Sequence, residues 1–82
     1  MTNTKNLVKI DKSVKFTPVS GSSLIEAYAR EAGDLAIKLN NGSTYIYKNV
    51  DQATVDGFLV ASSKGRYLTS NIKPKFEALK AE

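Results

Sequence analysis

Four cations stand within twelve residues of one another around a single tyrosine. Lys64 and Arg66 flank Gly65, Lys73 and Lys75 flank Pro74, and Tyr67 lies between the two pairs. These residue types suit a phosphate-bearing ligand. Lysine neutralises charge, arginine forks onto two oxygens, and tyrosine stacks on a base. Ser62 and Ser63 immediately precede the first cation and can add hydroxyl contacts. A second aromatic pair, Tyr45 and Tyr47, alternates along an apolar stretch. Paired tyrosines on a strand either stack bases or pack across strands. The basic turn also has a plainer reading, as a helix stop decorated with solvated lysines. Both readings stay open at the level of sequence.

Other chemistry is missing. The 82 residues contain no histidine and no cysteine. Zinc sites of the usual kind, a histidine base and a thiol nucleophile all require one or the other. The carboxylates do not fall at a calcium-loop spacing. Ser70-Asn71-Ile72-Lys73 matches a Ser-x-x-Lys pattern, but the partner motifs of that catalytic site are absent. Ser63 and Lys64 are adjacent, which seldom aligns a nucleophile with its base. No glycine-rich phosphate loop precedes a helix. The expectation is a non-enzymatic binding module with no cofactor and no metal.

The elements that must position these residues follow from patterning. Val14 and Phe16 alternate with polar residues, which predicts an edge strand ended by Pro18. Residues 1–6 are polar and expected to be weakly held. Leu7-Val8-Lys9-Ile10 is too short to assign to strand or helical turn. Leu24–Glu31 and Leu35–Leu39 read as paired strands around Ala32-Gly33-Asp34, with Leu35, Ile37 and Leu39 on one face. Asn41-Gly42 predicts a type I′ hairpin turn into a third strand, Thr44–Val50. The same residues form a glycosylation sequon with Ser43, for which the turn is the preferred reading. On the third strand, Ile46 and Val50 are the apolar candidates for the core. Tyr45 and Tyr47 then pack under the N-terminal segment or form an exposed pair.

Asp51 suits a helix N-cap, with Val50 and Val55 at the spacing of a hydrophobic staple. The helix is expected to run to about Ser63, burying Val55, Phe58, Leu59 and Ser62. Gly57 and Ala61 form a small-residue stripe that predicts close approach of another backbone. Gly65 fits the left-handed position that closes a helix. Leu68 and Ile72 lie four apart, as in a short helical turn. Phe76 and Leu79 are expected to share a face, with the last residues fraying. The fold class is therefore α+β: a three-stranded antiparallel meander with a candidate extra edge strand, packed by one main helix and a short C-terminal helical segment.

The formal charge is +4, and its distribution is uneven. Residues 1–18 carry Lys5, Lys9, Lys12 and Lys15 against Asp11, a net +3. Residues 19–63 sum to −2 and residues 64–82 to +3. Basic ends that converge in space make an anion-attracting face; otherwise they keep a small protein soluble. No secretory signal and no apolar run of membrane-spanning length are present, so the expected setting is cytoplasmic, away from membranes. So small a domain without disulfides is marginally stable, which keeps homo-oligomerisation open.

Three blocks then carry a family resemblance: Ser22-Ser23-Leu24-Ile25, Asn41 through Val50, and Ala61 through Tyr67 followed by Asn71-Ile72-Lys73. In order and spacing they resemble the KTSC domain, a module named for the C-terminus of some lysyl-tRNA synthetases. It also occurs as short stand-alone proteins of bacteria and phages. The resemblance spans about Val19–Phe76. It implies Tyr-x-Tyr on a strand, then a helix, then a Ser-x-Gly-x-aromatic turn. Family members commonly have proline where Asp51 stands, and Phe-Asn after the glycine-arginine turn where this chain has Tyr67-Leu68-Thr69. Residues 1–18 then form an N-terminal extension and 19–80 the KTSC-like domain. The tRNA synthetase association implies at most an RNA-related role.

The expected ligand is accordingly nucleic acid or a nucleotide-like anion, held by Ser62, Ser63, Lys64, Arg66, Tyr67, Lys73 and Lys75 with Tyr45 and Tyr47. The alternative is a protein-interaction or oligomerisation module, for example a phage-type protein that binds a host protein or sequesters a small signalling molecule.

Overall fold

In the computed structural model, residues 7–8 and 14–81 are described, Leu7 and Val8 by their backbone alone. Expectations for residues 1–6, and for Lys5, Lys9 and Lys12 in the basic N-terminal stretch, lie outside the described residues. The fold is α+β. Its strands are β1 (Leu7–Val8), β2 (Thr17–Pro18), β3 (Ile25–Glu31), β4 (Asp34–Leu39), β5 (Thr44–Tyr47) and β6 (Ala78–Ala81). They form one sheet in the order β1-β6-β5-β4-β3-β2, antiparallel from β6 to β2, with β1 added parallel to β6.

The central meander, β3 to β5, is the one the alternation predicts. Its two turns exchange roles. The β3–β4 connection is the tight one: Glu31 pairs directly with Asp34, and both Ala32 (φ 50°) and Gly33 (φ 85°) are left-handed. Two left-handed residues make the backbone twist match the flanking strands. At the Asn-Gly hairpin only Gly42 is left-handed (φ 94°). Its N–H donates to the Leu39 carbonyl at 3.0 Å, and the Leu39 N–H donates to the Ser43 carbonyl at 2.8 Å. That is a three-residue loop closed by a glycine bulge and not the expected type I′ turn.

Register decides which face of β5 enters the core. Leu35 pairs with Tyr47 and Ile37 with Tyr45, so the tyrosines share the face of the β4 leucine and isoleucine. Tyr47 is buried and Tyr45 packs against the core, beside Ile25, Leu35, Ile37, Val50, Val55, Phe58, Leu68 and Ile72. Ile46 faces the other way, opposite Ala36 and Leu79. The expectation that Ile46 would lead this strand into the core is therefore corrected, while Val50 is buried as expected. Small residues, Ala27, Ala29 and Ala36, fill the second face. The Lys38 ammonium stands 5.1 Å from the centre of the Phe16 ring on that side.

Val14–Phe16 do not form the predicted edge strand; the pairing falls at Thr17–Pro18 instead, against Ala27 and Tyr28. Proline, lacking an N–H, is tolerated there because β2 is an outer edge.

Helix α1 spans Gln52–Val60, capped as predicted by Asp51. Its carboxylate accepts the Thr54 N–H at 3.2 Å and the Thr54 hydroxyl at 2.7 Å. Val50 and Val55 are both buried, as a staple requires. The helix stops three residues earlier than expected. Ala61 is extended, Leu59 and Ser62 stay exposed, and only Val55 and Phe58 of the predicted face are buried. Ser63 caps a second short helix, α2 (Lys64–Tyr67), its hydroxyl accepting the Arg66 N–H at 3.3 Å. Gly65 therefore lies inside a helix and not at a left-handed helix end. Leu68–Ile72 continues as a π-helical turn that buries both of its ends. Ala78–Ala81 do not fray as expected but form β6 and run between β5 and β1, so Leu79 lies on a strand and shares no helical face with Phe76. Among the described residues no helix is long and apolar enough to cross a membrane.

Candidate functional site

The loop ahead of β3 and the segment from Ser62 to Ser70 face each other across an open cleft of about 500 Å³. Ser22 and Ser23 line one wall; Ser62, Ser63, Arg66, Thr69 and Ser70 line the other. The break between α1 and α2 creates the second wall. Because α1 ends at Val60, Ser62 and Ser63 leave the helix axis, and α2 turns Arg66 toward the cleft.

Three of the hydroxyls do structural work. Ser22 Oγ accepts the N–H groups of Leu24 and Ile25, at 3.3 and 3.0 Å. Ser63 caps α2. Thr69 Oγ1 donates to the Gly65 carbonyl at 3.0 Å. Among the described residues, the hydroxyls of Ser23, Ser62 and Ser70 and the guanidinium of Arg66 have no hydrogen-bond or ion-pair partner. No carboxylate lines the cleft. One cation with several uncommitted hydroxyls and no opposing negative charge is an arrangement suited to a small oxyanion. A hollow of about 320 Å³ adjoins it, sharing Ser62, Ser63, Arg66 and Ser70 and reaching Tyr67 and Asn71.

Tyr67 is tied down. Its hydroxyl donates to the Thr54 carbonyl at 3.0 Å. Its ring meets Phe58 edge-to-face, with centroids 6.3 Å apart. It occupies the space left by the missing side chain of Gly57. The Gly57–Ala61 stripe thus receives a phenol from its own chain and not the backbone that the sequence suggested.

The remaining candidates separate. Tyr45, Tyr47 and Lys73 line a different cleft of about 390 Å³, together with Leu24, Leu39, Asn41, Leu68, Thr69 and Ala78. Burial pushes the Tyr47 phenol above its ordinary pKa, and the neighbouring Tyr45 phenol adds to this. Lys64 lines neither cleft; its ammonium lies 3.4 Å from the Ala61 carbonyl. Lys75 is exposed and also outside both. The four cations therefore do not form one cluster, because the chain turns through α2 and the π-helical turn between them. Gly21, Ser22, Ser23, Thr69 and Ser70 were not singled out as contacts from sequence. The available signal was Ser22-Ser23, which opens the first block of the family resemblance.

Away from the clefts, Asp34 braces the connection into α1. Its carboxylate accepts Lys48 Nζ at 2.6 Å and the Asn49 N–H at 2.9 Å. Burial alone raises its pKa, but these contacts and the charges of Lys48 and Arg30 outweigh it and hold the carboxyl below its ordinary value.

Comparison with known proteins agrees with this architecture. The family model of the KTSC domain matches residues 21–76. A protein of Tsukamurella paurometabola is 37% identical over 60 residues, covering 71% of this chain and 90% of its own length. The crystal structure of a KTSC domain protein from Yersinia pestis superposes with a TM-score of 0.73 at 34% identity, covering 83% of this chain and 97% of that one. Fold, matched span and sequence identity agree: the chain belongs to the KTSC domain family.

Proposed function

We propose that this domain is a non-enzymatic binding module that holds a phosphate-bearing anion in the cleft beside Arg66. One observation carries the reading: the Arg66 guanidinium and the hydroxyls of Ser23, Ser62 and Ser70 line one cleft without a competing carboxylate or internal partner among the described residues. A guanidinium with neighbouring hydroxyls can satisfy several phosphate oxygens at once. The geometry favours a compact anion over an extended single strand of nucleic acid. Strand binders offer successive exposed rings, whereas Tyr47 is buried and Tyr67 is anchored to α1. The oligomerisation alternative drew on the small, disulfide-free core and on the Gly57–Ala61 stripe, and Tyr67 fills that stripe at Gly57.

The test is a titration of isotopically labelled protein with inorganic phosphate, followed by amide NMR. Shifts are expected at Gly21–Leu24 and Ser62–Ser70, and Arg66→Ala should remove them. No response by the folded protein at about 10 mM phosphate, enough to fill a millimolar site, overturns the reading. The same titration with a short single-stranded oligonucleotide should perturb no further surface.

A further inference from the structure

The cleft under Tyr45 and Tyr47 is not used by the anion reading, and its lining is selective. Leu24, Leu39 and Leu68 supply apolar walls, while Asn41, Lys73 and the two phenols supply polar groups. A mostly apolar hollow with a few convergent polar groups is the usual form of a small-molecule site.

Tyr47 identifies what the hollow can hold. The residue is only 3% exposed. Its hydroxyl has no hydrogen bond among the described residues, yet no fully buried side-chain oxygen or nitrogen there lacks a partner. Among the described residues, both statements agree with a hydroxyl that is the part of Tyr47 still reaching open space. Tyr47 lines this cleft. The ring is therefore fixed in the core while its polar end is aimed into the hollow. That sets a hydrogen-bonding group at the end of a leucine-walled hollow, where it can meet the polar edge of a ligand. Leucine walls and a polar end suit a flat ring with hydrogen-bonding atoms on its edge.

The two clefts are neighbours. Leu24 and Thr69 line both, so the cleft that Tyr47 lines adjoins that of Arg66. A ligand carrying a flat heterocycle and a phosphate joined by a short linker would occupy the two together. We infer that the chain binds a nucleoside monophosphate, its base between Leu24, Leu39 and Leu68 against the Tyr47 hydroxyl, and its phosphate at Arg66. This rests on the anion reading of the Arg66 cleft and names its ligand class.

The experiment titrates the wild type, Tyr47→Phe and Arg66→Ala with inorganic phosphate, the four common ribonucleosides and their 5′-monophosphates, again by amide NMR. At least one monophosphate is expected to shift amides of both clefts and to bind about tenfold or more tighter than phosphate or its nucleoside, because linked contacts share one cost of association. Tyr47→Phe should weaken that monophosphate about three- to tenfold, the worth of one hydrogen bond, and leave phosphate binding unchanged. Its hydroxyl has no internal partner, so this variant should unfold at the same denaturant concentration as the parent. Arg66→Ala should reduce the monophosphate to the affinity of its nucleoside. If phosphate shifts the Arg66 cleft and every monophosphate does no more, the base site is overturned while the anion reading stands. If neither phosphate nor any monophosphate shifts the Arg66 cleft, both fall.

Discussion

Tyr67 stands where a side chain at position 57 would be. A Cβ built on Gly57 would lie 2.9 Å from Tyr67 Cζ and closer still to its hydroxyl oxygen. The same hydroxyl reaches the Thr54 carbonyl on the preceding turn of α1. A glycine in mid-helix costs about 1 kcal/mol relative to alanine. Here it gives a ring from α2 room to lie on α1, and so sets how the second wall of the Arg66 cleft leaves the first helix.

Gly57→Ala should therefore destabilise, against its propensity. Overpacking costs about 1–3 kcal/mol and a strained or lost hydrogen bond about 1 kcal/mol, against a propensity gain of about 1 kcal/mol. A net loss of about 1–3 kcal/mol is expected in urea denaturation. Tyr67→Phe should cost less in the Gly57→Ala background than alone, because the clash and the hydrogen bond involve the same oxygen. A Gly57→Ala variant more stable than the parent would show that the ring lies elsewhere.

Gly65 also needs to be small, but not because of its backbone angle. It lies within α2, and a Cβ there would meet Leu24 Cβ at 3.2 Å. Alanine should be nearly neutral, within about 1 kcal/mol, since propensity gain and tight contact oppose each other. Gly65→Val should lose about 1–2 kcal/mol by forcing Leu24 away. Gly65→Asn separates the explanations. Asparagine is tolerated at left-handed positions, so an asparagine variant markedly more stable than the alanine variant would restore a left-handed helix end.

The meander and the start of α1 were legible because each rests on local chemistry. Alternation at Leu35, Ile37 and Leu39, the glycine of the Asn41-Gly42 hairpin and the Asp51 cap each act within a few residues. What was not legible depends on partners distant in sequence. Tyr45 and Tyr47 point inward because the register sets them opposite Ile37 and Leu35, which alternation within β5 cannot reveal. Ala78–Ala81 becomes a strand because β5 offers it a free edge. The candidate site divides the same way. Ser62, Ser63 and Arg66 were marked by residue type, whereas Ser22 and Ser23, about forty residues earlier, join them only in the folded chain.

Acid should weaken the start of α1. The Asp51 carboxylate is held below its ordinary pKa, first by the Thr54 hydroxyl, which together with backbone N–H groups and Arg30 outweighs the opposing effect of burial. A folded-state pKa lower than the unfolded one means the stabilisation is complete above the unfolded value, about 3.9, and is lost as pH falls through the folded value. Stability should drop on acidification from about pH 5 to below pH 3. Asp51→Asn keeps an efficient cap that does not titrate. Its stability should fall less over that range, and the difference between the two proteins isolates Asp51 from Asp34, which titrates in the same direction. Parallel acid curves would show that the cap carries no charge-dependent stability.

Charge reversal should separate the cations that the sequence grouped together. Only Arg66 of the turn lines the cleft with the free serines; Lys64 leans toward the Ala61 carbonyl, and Lys75 lies outside both clefts. Arg66→Glu should abolish phosphate binding by removing the forked donor and placing a negative charge beside the anion. Lys64→Glu and Lys75→Glu act only through the screened long-range field and should weaken it less than about threefold at physiological salt. Raising salt should weaken phosphate binding gently, because one cation is engaged; a steep dependence is the mark of many phosphate contacts along a polyanion. Isothermal titration with phosphate at two salt concentrations reads all of these at once. Equal losses from Lys64→Glu and Arg66→Glu, with a steep salt dependence, would mean that the turn acts as a diffuse basic surface for nucleic acid and that the cleft is not where the anion sits.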